Sequence, residues 1–427
     1  MENGKYHVCV VGGARPNFMK IAPVVHALTA RKEQARGSGI DLRISIVHTG
    51  QHYDENMSEV FFRELGIPQP DRCLEVGSGS HAEQTARIML AFEKALLEDR
   101  PQLVLVVGDV NSTIACALTA KKLNIHVAHV EAGLRSFDMT MPEVINRKLT
   151  DAISDYLFVT EESGYRNLRM EGVCEERIFT VGNVMIDTLK SSLEKVGGGG
   201  FKPSPVVRDF CVGGRKYAVL TLHRPSNVDR QHTLAPIWEA ISETAKRIPV
   251  LFPVHPRTRE KINNIALDTS GLTLVEPIGY LDMLYAVKGA TIVLTDSGGL
   301  QEETTYLGIP CVTIRENTER PVTVDIGTNY LAGTSQEAIL SAVNQILSGN
   351  PKKGTIPYLW DGNASGRIAD ILLRHAISEN VVRGDEYCKK DRHGVRGCLI
   401  RCNTRIGKGP SSPGGRGPCC TRSPRGT

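Results

Sequence analysis

The sequence predicts an α/β protein made of two Rossmann-like domains, whose parallel sheets face a central cleft. Three observations predict it. Near-continuous apolar runs alternate with amphipathic helical stretches from end to end, the pattern of a parallel sheet covered on both faces. The alternation forms two successive series, separated by VGGGGFKPSPVVRD, whose four consecutive glycines and two prolines mark a surface segment. At 427 residues the chain is also too long for one compact core.

In the first series YHVCVVGG, LRISIVH, LVLVVGD, HVAHVEA, DYLFVT and RIFTVGN read as strands. HAEQTARIMLAFEKALLEDR reads as a helix closed by Pro101. In the second series YAVLTLH, VLFPVH, LTLVEP, ATIVLTD and IPCVTI read as strands. The expected domains are 1–188 and 189–364. From 381 to 427, nine glycines and four prolines with almost no apolar periodicity predict a disordered basic tail.

Charge separates the tail from the body. The chain holds 51 Lys+Arg and 47 Asp+Glu; 11 and 3 of these lie in 381–427, leaving 40 and 44 in the body. A slightly acidic body carries no electrostatic footprint for nucleic acid. No apolar run is long enough for a membrane span, and the first strand begins where a signal peptide would stand. Six scattered cysteines of the body lack ligand spacing and read as reduced thiols. A cytoplasmic protein is expected, with no metal. Cys398-x3-Cys402 and the Cys419–Cys420 pair in the tail match no zinc pattern.

In parallel α/β sheets ligands bind at the carboxyl ends of the strands, so the residues following each strand come next. GGARPNFMK places Arg15 and Lys20 near a helix start, where free amides favour an anion. HTGQHYD places His48 and His52 four apart, but Gly50 between them argues for a loop. GDVNST sets Asp109 at a strand end, only partly solvated, before a run of helix-capping residues. HVEAGLRSFDMTMPEVINR ends a strand in Glu131 and carries Arg135, Glu143 and Arg147. In the second series TLHRPSN presents His223 and Arg224, and VLFPVHPRT presents His255 and Arg257. DSGGLQEE presents Asp296, Ser297, Gly298 and Gly299 before a helix bearing Glu302 and Glu303. Small residues at a helix start let amides approach a phosphate. Each segment alone also reads as an ordinary turn or cap. Together they set cations and an anion-binding helix start on one pair of sheet edges.

GARPNFMKIAPV, HTGQHYD, GDVNST, HVEAGLRS, MPEVINR, TLHRPSN, DSGGLQEE and RENTERP, in this order, resemble the non-hydrolysing UDP-N-acetylglucosamine 2-epimerases over roughly residues 5 to 375. The resemblance implies a GT-B fold, with the helix at 365–378 crossing back to the first domain. It implies reversible epimerisation of UDP-GlcNAc to UDP-ManNAc, by elimination of UDP and re-addition through 2-acetamidoglucal, with no cofactor and in a homodimer. It implies Asp109, Glu131 and Glu143 as acid/base groups, with Arg147 orienting a carboxylate or the substrate and His223 at the diphosphate. Arg15 and Lys20 would lie near the nucleotide, and Ser297, Gly298 and Gly299 at phosphate. Glu303 would bind ribose and Arg320 an anion. Gln51 and His52 match a segment that touches a regulatory UDP-GlcNAc in some members. Two departures stand out: GARPN where a GTRPE-type start is commoner, and Val144 where many members have a second glutamate.

The nearest alternatives are the same chemistry on another UDP-HexNAc, such as a diacetamido uronic acid, and a hydrolysing epimerase releasing ManNAc and UDP. A GT-B glycosyltransferase would not need the three-carboxylate set. A nucleotide-sugar sensor would not need its acid/base groups.

Overall fold

A computed structural model describes residues 4–50, 62, 64–264 and 267–391. The chain divides into two units, Met1–Val381, which holds both sheets, and Val382–Thr427. The first sheet is all parallel, in the order β3-β2-β1-β4-β5-β6-β7. Its strands are β1 (Lys5–Gly12), β2 (Asp41–His48), β3 (Arg72–Cys73), β4 (Leu103–Val107), β5 (His126–Ala132), β6 (Tyr156–Val159) and β7 (Ile178–Thr180). The second, also parallel, runs β10-β9-β8-β11-β12-β13. It comprises β8 (Ala218–Thr221), β9 (Val250–Pro253), β10 (Leu272–Val275), β11 (Ile292–Thr295), β12 (Cys311–Thr313) and β13 (Asn329–Leu331).

All eleven strands read from the sequence form. The two it did not reveal, β3 and β13, are edge strands of two and three residues that lack the longer apolar stretches, RIFTV and IPCVTI, that reveal the equally short β7 and β12. In both sheets the strand order reverses between the first strand and its fourth-in-sequence partner, β1/β4 and β8/β11. That is the switch point where doubly wound sheets open a crevice.

Local sequence explains the framing helices. Ser80 and Glu83 form a reciprocal capping box at the start of the helix His81–Glu98. Asp187 caps the final helix, accepting from the Ala364 amide at 3.1 Å and from the Ser365 amide at 2.7 Å and hydroxyl at 2.6 Å. Ile368, Leu372 and Ala376 of that helix pack into the apolar core under β1 and β4. The helix is Ala364–Asp391, longer than 365–378, because no proline interrupts the chain between those ends. The rest of the expected tail, 392–427, lies outside the described residues. Trp360, 1% exposed, donates its indole N–H to the Thr160 carbonyl at 3.1 Å. No helix among the described residues is long and apolar enough to cross a membrane.

Candidate active site

The first-sheet wall is built at the ends of β4 and β5. Glu131 is the second-last residue of β5 and takes φ +70°, while the pairing of β5 with β6 shifts register between Val130 and Ala132. A left-handed glutamate at a strand irregularity costs of order 1–3 kcal/mol and persists only where surroundings over-determine it. Here the surroundings are cationic. The 1%-exposed carboxylate pairs with the Lys20 ammonium. It also accepts from the Arg320 guanidinium at 3.0 Å and lies 3.5 Å from that of Arg147. Burial pushes the Glu131 carboxyl up, but Lys20, Arg320 and Arg147 together outweigh it and hold it down at about 2. In this arrangement the carboxylate is ionised at neutral pH and a weak base.

Lys20 reaches this point from the helix Arg15–Ala30, which Pro16 opens in its first turn. The Asn17 side chain accepts from the Gly13 and Ala14 amides at 3.1 and 3.0 Å, tightening the turn after β1. Gly108, at the end of β4, has φ +69°, and a Cβ there would stand 3.1 Å from the Lys20 nitrogen and 3.4 Å from a Glu131 oxygen. Its lack of a side chain leaves room for the ion pair.

Asp109 accepts from Arg147 at 2.6 Å and keeps 23% side-chain exposure. It thus stands nearer the solvent than Glu131. Arg147 is fully buried, and its Nε and Nη1 have no hydrogen-bond partner. Glu143, one turn earlier on the helix Pro142–Ile153, is half-buried. Val144, between them, is fully buried in that helix's packing face. Arg135, in the same sequence stretch, turns away to Asp151 and Glu171, each at 2.7 Å, and belongs to the scaffold.

The second-sheet wall is built at β8 and β11. Asp296 is completely buried and accepts from the His223 and Arg224 amides at 2.9 and 2.8 Å. It thereby fixes the turn after β8, and the half-exposed His223 ring lies 3.2 Å from its other oxygen. Burial and Arg315 lower the Arg224 pKa, while Glu319, Asp296 and Glu143 oppose them. Ser297 is the N-cap residue of the helix Gly298–Leu307, but its side chain makes no cap hydrogen bond. The first amides of that helix thus lack that cap.

On that helix, Glu302 accepts from Arg320 at 2.6 Å and Glu303 from the Tyr280 hydroxyl at 3.0 Å. Burial pushes the Glu303 carboxyl up to about 7, opposed by the Tyr280 hydrogen bond and reinforced by Glu302. Arg320, which the resemblance assigns to a substrate anion, here pairs with three carboxylates of the chain itself: Glu131, Glu302 at 2.6 Å and Glu319 at 3.3 Å. A Cβ on Gly298 would lie 2.7 Å from its Nη1, so the glycine makes room for the guanidinium.

The structure thus brings Lys20, Asp109, Glu131, Arg147 and Arg320 into one ionic cluster, which Arg320 extends to the second sheet. His223 lies beside Asp296, which also accepts from the Arg224 amide, and Glu143 stands one turn from Arg147 on its helix. Gln51, His52 and the Arg15 side chain lie outside the described residues. Sequence reading did not single out Glu302, Glu319 and Arg315 as a unit. Arg315 holds Glu319 at 2.7 Å, and an Arg-x3-Glu-Arg spacing beside the Arg320 motif was the available signal. Glu161, 4% exposed, was also overlooked. Burial pushes its carboxyl up to about 7; the Ser163 hydroxyl opposes this and Glu302 adds to it.

Two Rossmann sheets, with charged groups gathered from the switch points of both, define a GT-B protein. The chain belongs to the UDP-N-acetylglucosamine 2-epimerase family, whose profile matches residues 35–373. It is 41% identical over 375 residues to a UDP-N-acetylglucosamine 2-epimerase of Methanococcus maripaludis, covering 86% of this chain and 98% of that one. A UDP-2,3-diacetamido-2,3-dideoxy-D-glucuronate 2-epimerase of Pseudomonas aeruginosa is 40% identical over 370 residues, covering 86% and 99%. Among solved structures, the UDP-GlcNAc 2-epimerase of Methanocaldococcus jannaschii in complex with UDP-GlcNAc and UDP superimposes with a TM-score of 0.77. It shares 41% identity and covers 86% of this chain and 99% of that one.

Proposed function

We propose that this protein interconverts UDP-GlcNAc and UDP-ManNAc without net hydrolysis, by eliminating UDP and adding it back to 2-acetamidoglucal. The observation that carries the reading is the direct contact of Arg320 with Glu131 at 3.0 Å, which joins a carboxylate wall on one sheet to a cationic loop on the other. The chemistry needs both. The C2 proton of the sugar becomes acidic only as the C1–O bond breaks, so the departing diphosphate needs cations that stabilise its growing charge. Inverting C2 requires proton carriers on both faces of the ring.

Asp109 and Glu143, both partly accessible, serve as exchanging acids. Glu131 serves as the third carboxylate and is gated by its cations. A diphosphate competes with it for Lys20 and Arg320, and each cation lost lets its pKa climb from about 2 toward the range in which a carboxyl exchanges protons. His223 and the amides of Gly298 and Gly299 receive the phosphates, Glu303 the ribose, and Arg147 keeps Asp109 oriented. Arg15 is assigned to the nucleotide and Gln51 and His52 to a regulatory contact by resemblance alone.

The relative named for a diacetamido glucuronate is almost as similar to this chain as the one named for UDP-GlcNAc, so both substrates belong in the test. Each is incubated with the protein in deuterated water and C2 followed by NMR. The expected result is deuterium at C2 of a UDP-linked epimer from UDP-GlcNAc. Free ManNAc would replace the reading by hydrolysis. Exchange confined to the diacetamido sugar would replace its substrate.

A further inference from the structure

At the opposite end of β5 from Glu131 stands a second group of titratable side chains that the epimerase reading does not use. His126 is the first residue of β5 and Asp155 precedes β6, while His375 and Glu379 stand one turn apart on the final helix. The His126 Nε2 and the His375 Nε2 each lie 3.1 Å from the same Glu379 oxygen. On its other side His126 presents Nδ1 to an Asp155 oxygen at 3.5 Å. His126 Nδ1 and His375 Nε2 are shielded from solvent and form no hydrogen bond of good geometry. The two rings stand edge to face, 5.4 Å between centroids, and Tyr156 packs against His375 at 4.8 Å.

We propose that His126, His375 and Glu379 form a binding site for a divalent transition-metal ion of the zinc type. One ligand atom from each lies within 4.8 Å of the others. Ligand atoms around a tetrahedral zinc ion are separated by about 3.3 Å, from metal–ligand distances of about 2.0–2.1 Å. Both nitrogen-to-carboxylate separations, at 3.1 Å, are already close to that edge, so small side-chain rotations around a central cation complete the site. Two imidazoles and one carboxylate favour zinc and its borderline neighbours over calcium or magnesium, which prefer all-oxygen shells.

Asp155 supplies the outer support such a site requires. It accepts from the Val127 amide at 2.8 Å and from Lys121 at 2.9 and 3.0 Å. It is therefore held 3.5 Å from His126 Nδ1, where a small rotation of the ring lets it take the Nδ1 proton and direct Nε2 at the metal. The ligand side chains retain 42%, 22% and 19% exposure, which gives an ion a path from solvent and leaves the fourth position to water. Bound there, the ion fastens the final helix to the β5–β6 end of the first sheet, so it acts on stability rather than at the reacting sugar.

The test uses the full chain, stripped with a chelator and with its thiols alkylated so that the cysteines of 388–420 cannot compete for metal. Titration with zinc chloride alone, against a chromogenic chelator, is expected to show one tightly held equivalent and a rise in melting temperature. Cobalt(II) in its place should give the visible bands of a tetrahedral nitrogen/oxygen site. His375→Ala should weaken zinc binding by about 100-fold or more, and Asp155→Asn, which removes only the support, by about 10-fold. Glu379→Gln, nearly isosteric, should likewise lose the thermal shift. Circular dichroism of each metal-free variant establishes that it is folded. The proposal is overturned if the wild-type chain takes up no stoichiometric zinc. It is overturned equally if binding and the thermal shift persist unchanged in a folded His126→Ala/His375→Ala variant.

Discussion

Replacing Glu131 by glutamine keeps the shape of the side chain and removes the charge around which the site is assembled. Lowering its pKa from 4.5 to about 2 is a displacement of about 2.5 units, worth roughly 3 kcal/mol of net attraction between carboxylate and cations. The variant leaves Lys20 without this partner and Arg320 with only Glu302 and Glu319. A buried pair broken on one side typically costs about 3–5 kcal/mol, so about 3 kcal/mol at pH 7 is expected.

The sign of the pH dependence follows from the direction of the shift. A depressed carboxyl contributes its full stability above its unfolded pKa, near 4.5, and loses it as pH falls through about 2. The difference between wild type and Glu131→Gln should therefore be constant above roughly pH 5.5 and shrink below 4. Urea unfolding of both proteins at pH 7.5 and at pH 3 measures it, and calorimetric titration with UDP compares nucleotide binding by the two. Exchange at C2 should vanish while UDP binding survives. A stability difference below about 0.5 kcal/mol at pH 7.5, within the scatter of ordinary surface substitutions, would refute the cationic cluster. Wild-type exchange would refute the catalytic assignment.

Other expectations follow from neighbouring residues. Glu303, pushed up to about 7, has a raised pKa, so ionising it costs stability progressively from about pH 4.5 to 7. Glu303→Gln should flatten that fall in a pH series of melting temperatures while weakening UDP binding. Gly298→Ala places a Cβ 2.7 Å from Arg320; C2 exchange should drop at least tenfold with a stability loss of about 1–2 kcal/mol, measured by NMR and urea unfolding. Asp187→Ala leaves two amides at the start of the final helix without their acceptor, at a cost of about 2 kcal/mol in the same assay. Arg135→Met should lower stability but leave the C2 exchange of the remaining folded protein intact, because its partners are Asp151 and Glu171.

Periodicity exposed every strand long enough to have a period, and the residues after those strands exposed the candidate site. Edge strands β3 and β13 escaped because their two or three residues lack the longer apolar stretches that marked the equally short β7 and β12. Asp296 was visible as a strand-end acid, but its work in pinning the turn that presents His223 is a contact over 73 positions of sequence. Glu131 was legible as a carboxylate at a strand end. That it would be ringed by three cations and take a left-handed backbone was not legible.

The sequence by itself determined the α/β class, the order of elements and the family, because short-range hydrophobic pattern and ordered motifs are local properties of the chain. The tertiary structure alone decided which charges meet. Arg135 and Arg147 stand twelve positions apart on one segment, yet one joins the scaffold and the other the ionic cluster around Glu131. The same holds for Arg320, which lies 189 positions from the Glu131 it contacts. An ion pair's strength depends on distance and burial, and folding sets both.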